Sequence, residues 1–177
     1  MTISAFIERN DEIKKYDCCY YLHPKLWIKN STITSKLHSP EDWSGYIKYL
    51  NDKNQVSDEV KKLPKDYGGI YLFFIQGISL PFERYLAYVG RAQCTESESL
   101  RSRVKSYLPE SKKVDGRTRI VRLFKYWKKH LYIRYYKSKD NEFIKQTESA
   151  LIQAILPPFN TDLTEYKIKS PKKAFGL

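Results

Sequence analysis

Two apolar, aromatic runs stand out along the chain. Gly69-Ile70-Tyr71-Leu72-Phe73-Phe74-Ile75 and Leu86-Ala87-Tyr88-Val89-Gly90 are separated by a segment holding Gly77 and Pro81. Runs of this kind, rich in aromatic and β-branched residues and split by turn formers, predict a β-hairpin over residues 69–90. Each strand carries a tyrosine beside a glycine, which puts a phenol next to backbone that a ligand can approach closely.

Downstream, the apolar period changes from 2 to 3.6. Leu100, Val104, Tyr107 and Leu108 fall on one helical face, and Pro109 ends that helix. After Gly116 a second helix repeats Ile120, Leu123, Phe124 and Trp127 at helical spacing. Leu131-Tyr132-Ile133-Arg134-Tyr135-Tyr136 predicts a third strand. A helix capped by Asn141 then turns Phe143, Ala150, Leu151, Ala154 and Ile155 inward, and Pro157-Pro158 stops it. The expected fold is therefore α+β, a three-stranded antiparallel sheet flanked by helices over residues 67–162.

Residues 1–66 predict a mostly helical N-terminal extension. Ser4 caps a helix carrying Phe6, Ile7 and Ile13, and residues 20–38 form an aromatic loop or short extended piece without periodicity. Ser39-Pro40-Glu41-Asp42 reads as a helix start, with Trp43, Tyr46, Ile47 and Leu50 on the face that follows. Ser57 begins a short helix that Pro64 ends, and residues 163–177 are a basic C-terminal tail. As an extension without a catalytic motif, residues 1–66 are candidates for reading DNA, for binding a protein partner or for forming a homodimer.

Charge sharpens this picture. Residues 1–66 hold 11 basic and 10 acidic side chains, whereas residues 67–177 hold 21 and 10. Within the second part, residues 101–139 carry 14 basic and 2 acidic side chains. So concentrated a positive block is the footprint expected for a phosphate backbone, and DNA is the expected partner; a merely solubilising basic face is the plain alternative. No apolar run reaches the ~18 residues of a transmembrane helix, and the N-terminal stretch lacks signal-peptide character, so no membrane partner is expected. The three cysteines, two of them the adjacent Cys18 and Cys19, suit a reducing cytoplasm better than a disulfide framework. No CxxC or HxxxH spacing suggests zinc, and His23 and His38 read as loop histidines.

Five features in order carry a resemblance to a known family. They are Gly69-Ile70-Tyr71, Tyr88-Val89-Gly90, Arg103 with Tyr107 four residues later, Glu148 within Thr147-Glu148-Ser149-Ala150-Leu151-Ile152, and Asn160 closing Pro-Pro-Phe-Asn. Each has an ordinary reading alone: sheet tyrosines, a surface arginine, a solvated helix glutamate, a turn asparagine. Together, over residues 69–160, the set resembles the GIY-YIG nuclease superfamily. The resemblance implies a metal-dependent endonuclease that hydrolyses DNA phosphodiester bonds. It implies Tyr71, Tyr88, Arg103, Tyr107, Glu148 and Asn160 as the catalytic set, with Glu148 as ligand to Mg²⁺, or to Mn²⁺ in its place. Tyr71 would orient or deprotonate the attacking water, with Tyr88 and Tyr107 completing the hydrogen bonds, and Arg103 would sit on the scissile phosphate.

The chemistry fits on its own terms. One acid near the motif set suits a single hard cation held mostly by water and substrate oxygens, and a planar guanidinium suits a phosphate better than an ammonium. A phenol titrates near pH 10, so a basic role needs neighbouring positive charge. Gly90, Arg91, Arg101, Lys105, Arg117, Arg119 and Arg122 are the candidate substrate-binding residues. Arg101 competes with Arg103, which is preferred because the Arg-x-x-x-Tyr spacing shares one helix face. The 16 residues between Tyr71 and Tyr88 exceed the family's habit and imply a longer hairpin loop. Length and architecture suggest a stand-alone restriction or phage-defence nuclease. A catalytically silent DNA-binding or partner-binding module that keeps the fold is the alternative.

Overall fold

The structure, a computed structural model, describes residues 24–113 and 116–160. The helix expected after Ser4, Cys18, Cys19 and His23, and the basic tail lie outside the described residues. Helix α1 (Pro24–Thr34) precedes strand β1 (Ile47–Lys48), the short helix α2 (Asp58–Lys61), and the hairpin strands β2 (Gly68–Gln76) and β3 (Arg84–Ala92). Helices α3 (Leu100–Lys105), α4 (Tyr107–Glu110) and α5 (Thr118–Trp127) follow, then strand β4 (Leu131–Ser138) and helix α6 (Asn141–Ile155).

The fold is α+β, but its sheet has four strands, in the order β1-β4-β2-β3, rather than the three expected. All neighbours run antiparallel. The extra strand comes from the segment expected to continue the Ser39-Pro40 helix. Only a 3₁₀ turn, Pro40–Asp42, forms there. Beyond it the chain follows a period of 2: Ile47 pairs with Ile133, Tyr49 N–H donates to the Leu131 carbonyl at 2.9 Å, and Lys48 faces the other way opposite Tyr132. Pairing to the free edge of β4 satisfies backbone groups that an isolated helix end would leave to water, and tertiary context overrides the local cap. The stretch expected to lack periodicity is instead largely helical, opened by Pro24, whose missing N–H costs nothing at a first helical position.

Two cores cover the two sheet faces. Tyr71, Phe73, Ile75, Tyr88 and Ile133 pack against Leu100, Val104, Tyr107, Ile120, Leu123 and Phe124 from helices α3 to α5. Tyr49 and Leu50 join this core, and the Tyr49 hydroxyl donates to the Val104 carbonyl at 2.8 Å. Residues before 67 thus supply a strand and part of the main core. On the opposite face Ile70 and Val89 meet Ile144, Leu151 and Ile152 of α6.

Strand β3 holds an irregularity that decides the site. Phe73 pairs with Tyr88 but Phe74 with Leu86, so Ala87 is an extra residue, a β-bulge. Strand side chains alternate faces, and one inserted residue exchanges them. In a regular strand Leu86 and Tyr88, two residues apart, would share a face; with Ala87 bulged out of the pairing, Tyr88 joins Tyr71 while Leu86 packs toward α6.

Candidate active site

Tyr71, Tyr107 and Tyr88 form a line of phenols. Tyr71 Oη lies 2.5 Å from Tyr107 Oη, and the Tyr107 hydroxyl donates to Tyr88 Oη at 3.2 Å. Tyr107 has one proton and gives it to Tyr88, so Tyr107 accepts from Tyr71. Arg103 donates to Tyr71 in turn, and its guanidinium stands 5.6 Å from the Tyr107 ring centroid. Donation therefore runs from Arg103 through Tyr71 and Tyr107 to Tyr88, whose own proton is the one left for the solvent side. Such chains polarise along their length.

Tyr71 and Tyr107 are fully buried, while Tyr88 reaches a cleft of about 580 Å³. Burial pushes all three phenols well above their ordinary value; the Arg103 charge beside Tyr71 and the Arg117 charge beside Tyr88 pull the other way by less. All three are neutral donors at neutral pH. The tyrosine that meets the cleft is thus Tyr88, and Tyr71 supports it from behind.

Gly90 and Gly69 are explained by the chain's own close packing. A Cβ on Gly90 would stand 2.5 Å from the Tyr71 ring, directly across the β2–β3 pair. Gly90 is buried and does not line the cleft; it gives Tyr71 its room. Gly69 has φ +149°, and a Cβ there would collide with the Tyr136 carbonyl. The close approach expected of a ligand at these glycines is made by protein atoms.

The cleft straddles the outer edge of β3. Tyr88 enters it from one sheet face and Arg91, paired with Ile70, from the other. Helix α5 contributes Arg119, with Arg117 just before it, and helix α6 contributes Lys145 and Glu148. Glu148 accepts from Arg91 Nη1 at 3.1 Å, with side chains 20% and 35% exposed. On the same helix, Glu142 accepts from Gln146. Arg117 forks onto Glu110 through Nε at 2.5 Å and Nη2 at 2.8 Å, and lies 5.2 Å from the Tyr107 ring centroid. That pair holds the Glu110 carboxyl below the usual carboxylate range. Arg119 Nη1 donates to the Pro158 carbonyl at 2.6 Å; burial, then the nearby Arg122 charge, lowers its pKa.

Two asparagines fix helix α6 against β3. Asn160 accepts from Val89 N–H at 2.8 Å and donates to the Val89 carbonyl at 2.7 Å, copying a strand neighbour on the open edge. Asn141 does the same to Cys94, accepting at 2.7 Å and donating at 3.2 Å. The helix N-cap is Asp140, not Asn141: its side chain accepts from Phe143 N–H at 3.0 Å. Phe159 N–H donates to the carbonyl of the bulged Ala87 at 3.0 Å. Glu148 sits between these anchors.

Of the expected residues, Tyr88, Arg91, Arg117, Arg119, Glu148 and Asn160 line one cleft, with Tyr71, Tyr107 and Arg103 behind Tyr88. Arg101 and Lys105 line a different cleft beside residues 95–99, where Arg101 Nε donates to the Leu63 carbonyl at 2.6 Å. Arg122 is not among the lining residues. Glu110, Asn141, Phe159 and the Ala87 bulge were not foreseen. Nothing in their local sequence announces a partner that is distant along the chain.

Among the described residues no three His, Cys, Asp or Glu side chains cluster as a metal group, and Glu148 is the one carboxylate lining the cleft. This donor set does not fit a pair of metal ions. It fits one hard cation that keeps water and takes substrate oxygens. Compared with known proteins, the chain matches no family model, no curated protein and no solved structure. Among the described residues no helix is long and apolar enough to cross a membrane.

Proposed function

We propose that the protein is a metal-dependent DNA endonuclease of the GIY-YIG kind, acting in the cleft at the edge of β3. The observation that carries this reading is the meeting in one cleft of a carboxylate, several guanidinium groups and a phenol at the end of a donor chain. In hydrolysis, water adds to phosphorus and one P–O ester bond breaks, leaving a phosphomonoester and a hydroxyl. Arg91, Arg117 and Arg119 bind the phosphate, Arg117 being held ready by Glu110. Tyr88, kept protonated by burial, donates its hydroxyl proton as a hydrogen bond to a phosphoryl oxygen or to the incoming water. Tyr107 and Tyr71 hold that hydroxyl in orientation. Glu148 would hold Mg²⁺ or Mn²⁺, which when bound supplies Lewis-acid charge at the phosphoryl oxygens.

The test is cleavage of plasmid and single-stranded DNA with Mg²⁺, beside Glu148→Ala; equal activity in both proteins would sink the assignment of Glu148. A silent DNA-binding module is the second reading, favoured by the Arg91–Glu148 ion pair, which neutralises the carboxylate from within the protein. Salt-sensitive DNA affinity without metal-dependent cleavage on either substrate would select it.

A further inference from the structure

The tip of the β2–β3 hairpin has no part in the chemistry above. It is an ordered turn: Gly77 N–H donates to the Glu83 carbonyl at 3.0 Å, and Glu83 N–H to the Leu80 carbonyl at 3.0 Å. Pro81 and Phe82 take the central positions, and a Cβ on Gly77 would stand 2.8 Å from the Leu80 carbonyl. This turn presents Ile78, Leu80 and Phe82 to solvent with exposures of 68%, 46% and 70%. Large apolar side chains held outward by a hydrogen-bonded turn mark a contact surface.

The surroundings identify what would cover it. Arg84 and Arg134 stack on Tyr46, their guanidinium carbons 4.4 and 5.0 Å from its ring centroid. Arg84 Nε is buried and, among the described residues, has no hydrogen-bond partner. Ile75 pairs with Leu131, which brings the exposed Lys128 and Lys129 to the same end of the sheet. Among the described residues the acids of this region are Glu83 and Asp52, and Asp52 is paired with Lys48 at 3.2 Å. An apolar wedge with basic flanks fits a polyanion that also offers flat apolar surfaces, as base pairs do. Proteins that kink duplexes push such side chains between base steps while Arg and Lys hold the backbone. Along β3, from Arg84 to Arg91, rises of about 3.3 Å per residue separate tip and cleft by roughly 23 Å. That span is about seven steps of B-DNA at 3.4 Å, so one duplex along β3 reaches both.

We propose that the hairpin tip is a second DNA contact: Ile78, Leu80 and Phe82 wedge between base pairs, with Arg84 and Arg134 on the flanking phosphates. This rests on the reading of DNA as substrate. Wedge insertion unwinds the duplex. A closed circular plasmid relaxed in EDTA by a metal-independent topoisomerase, with saturating protein present, should therefore emerge with a lowered linking number. The Ile78→Ser/Leu80→Ser/Phe82→Ser variant should still retard the plasmid with an unchanged salt slope, yet leave the linking number unshifted. Arg84→Gln/Arg134→Gln should flatten the salt slope by about 2. A full shift by the triple variant, or tight binding by the native chain with no shift, would overturn the wedge while leaving the nuclease reading intact. So would a native dimer that the triple variant turns into a monomer with unchanged DNA binding, since the tip would then join two copies. Absence of plasmid retardation by the native chain would overturn both readings.

Discussion

Removing Arg91 should move two affinities in opposite directions. Its Nη1 lies 3.1 Å from the Glu148 carboxylate. At an effective dielectric constant of about 20, charges at that separation attract by about 5 kcal/mol before hydration is counted. With side chains 35% and 20% exposed, water and side-chain ordering offset most of it, leaving about 1–2 kcal/mol. A cation bound at Glu148 must displace this attraction. Arg91→Ala should therefore bind Mn²⁺ about 5- to 30-fold more tightly in the absence of DNA, from the usual tenfold per 1.4 kcal/mol. On the proposed reading the same variant also loses a phosphate contact, so its DNA affinity in EDTA should fall and the salt slope should flatten by about 0.9. Titration calorimetry or electron paramagnetic resonance with Mn²⁺ reads the first effect, and gel retardation across salt reads the second. Arg91→Lys should lie between, and Glu148→Gln should abolish Mn²⁺ binding at this site. Equal or weaker Mn²⁺ binding by Arg91→Ala would refute the competition, showing that the guanidinium orients the carboxylate for the ion.

Asn160→Ala deprives the fully buried Val89 of its partners for both N–H and C=O. At about 1–3 kcal/mol for each of the two unsatisfied groups, the cost should be about 2–6 kcal/mol in urea unfolding; a loss under about 1 kcal/mol would contradict the clamp. Gly90→Ala pushes a methyl against the enclosed Tyr71 ring and should cost about 3 kcal/mol in thermal melts, whereas Gly45→Ala, with nothing within 4 Å among the described residues, should be near neutral. Tyr49, Tyr71, Tyr88 and Tyr107 have phenols raised chiefly by burial. The folded state keeps these protons while the unfolded chain releases them near pH 10, so their contribution is complete below about pH 10 and declines as pH rises above it. Absorbance at 295 nm should show these four tyrosines resisting ionisation until the chain unfolds. One midpoint near pH 10 for every tyrosine in the native protein would exclude this.

What the sequence made legible was what repeats locally. Ile120, Leu123 and Phe124 recur at helical spacing and are buried as a stripe of α5; the hairpin runs and Leu131–Tyr136 read as strands and are strands. What escaped depends on partners remote in the chain. Ile47 and Tyr49 follow strand alternation because the edge of β4 is available, although the local cap and acids suggest a helix. The Arg-x-x-x-Tyr spacing favours Arg103 over Arg101 but names a remote partner for neither, and only the packed helix sends Arg101 to the Leu63 carbonyl and Arg103 to Tyr71. The fork between Glu110 and Arg117 closes a loop whose ends carry no shared motif.

The bulge at Ala87 ties these observations together. Because this residue is left out of the strand pairing, Tyr88 stays on the face of Tyr71 and Tyr107 and completes the donor chain from Arg103. The same residue offers its carbonyl to Phe159 N–H, just before Asn160 bonds Val89. The end of α6 is thereby anchored within two residues of the phenol, and Asn141 anchors its start to Cys94 beyond the other end of β3. A helix pinned at both ends cannot slide along the strand, so Glu148 keeps its height opposite Arg91 whatever the outer loops do. The long hairpin loop is thereby uncoupled from the cleft: it lies on the far side of the bulge, where a change of length shifts neither Tyr88 nor the carboxylate. This is why wide spacing between the two tyrosines is compatible with a compact site, and why the edge of β3, more than the hairpin as a whole, is what the cleft is built on.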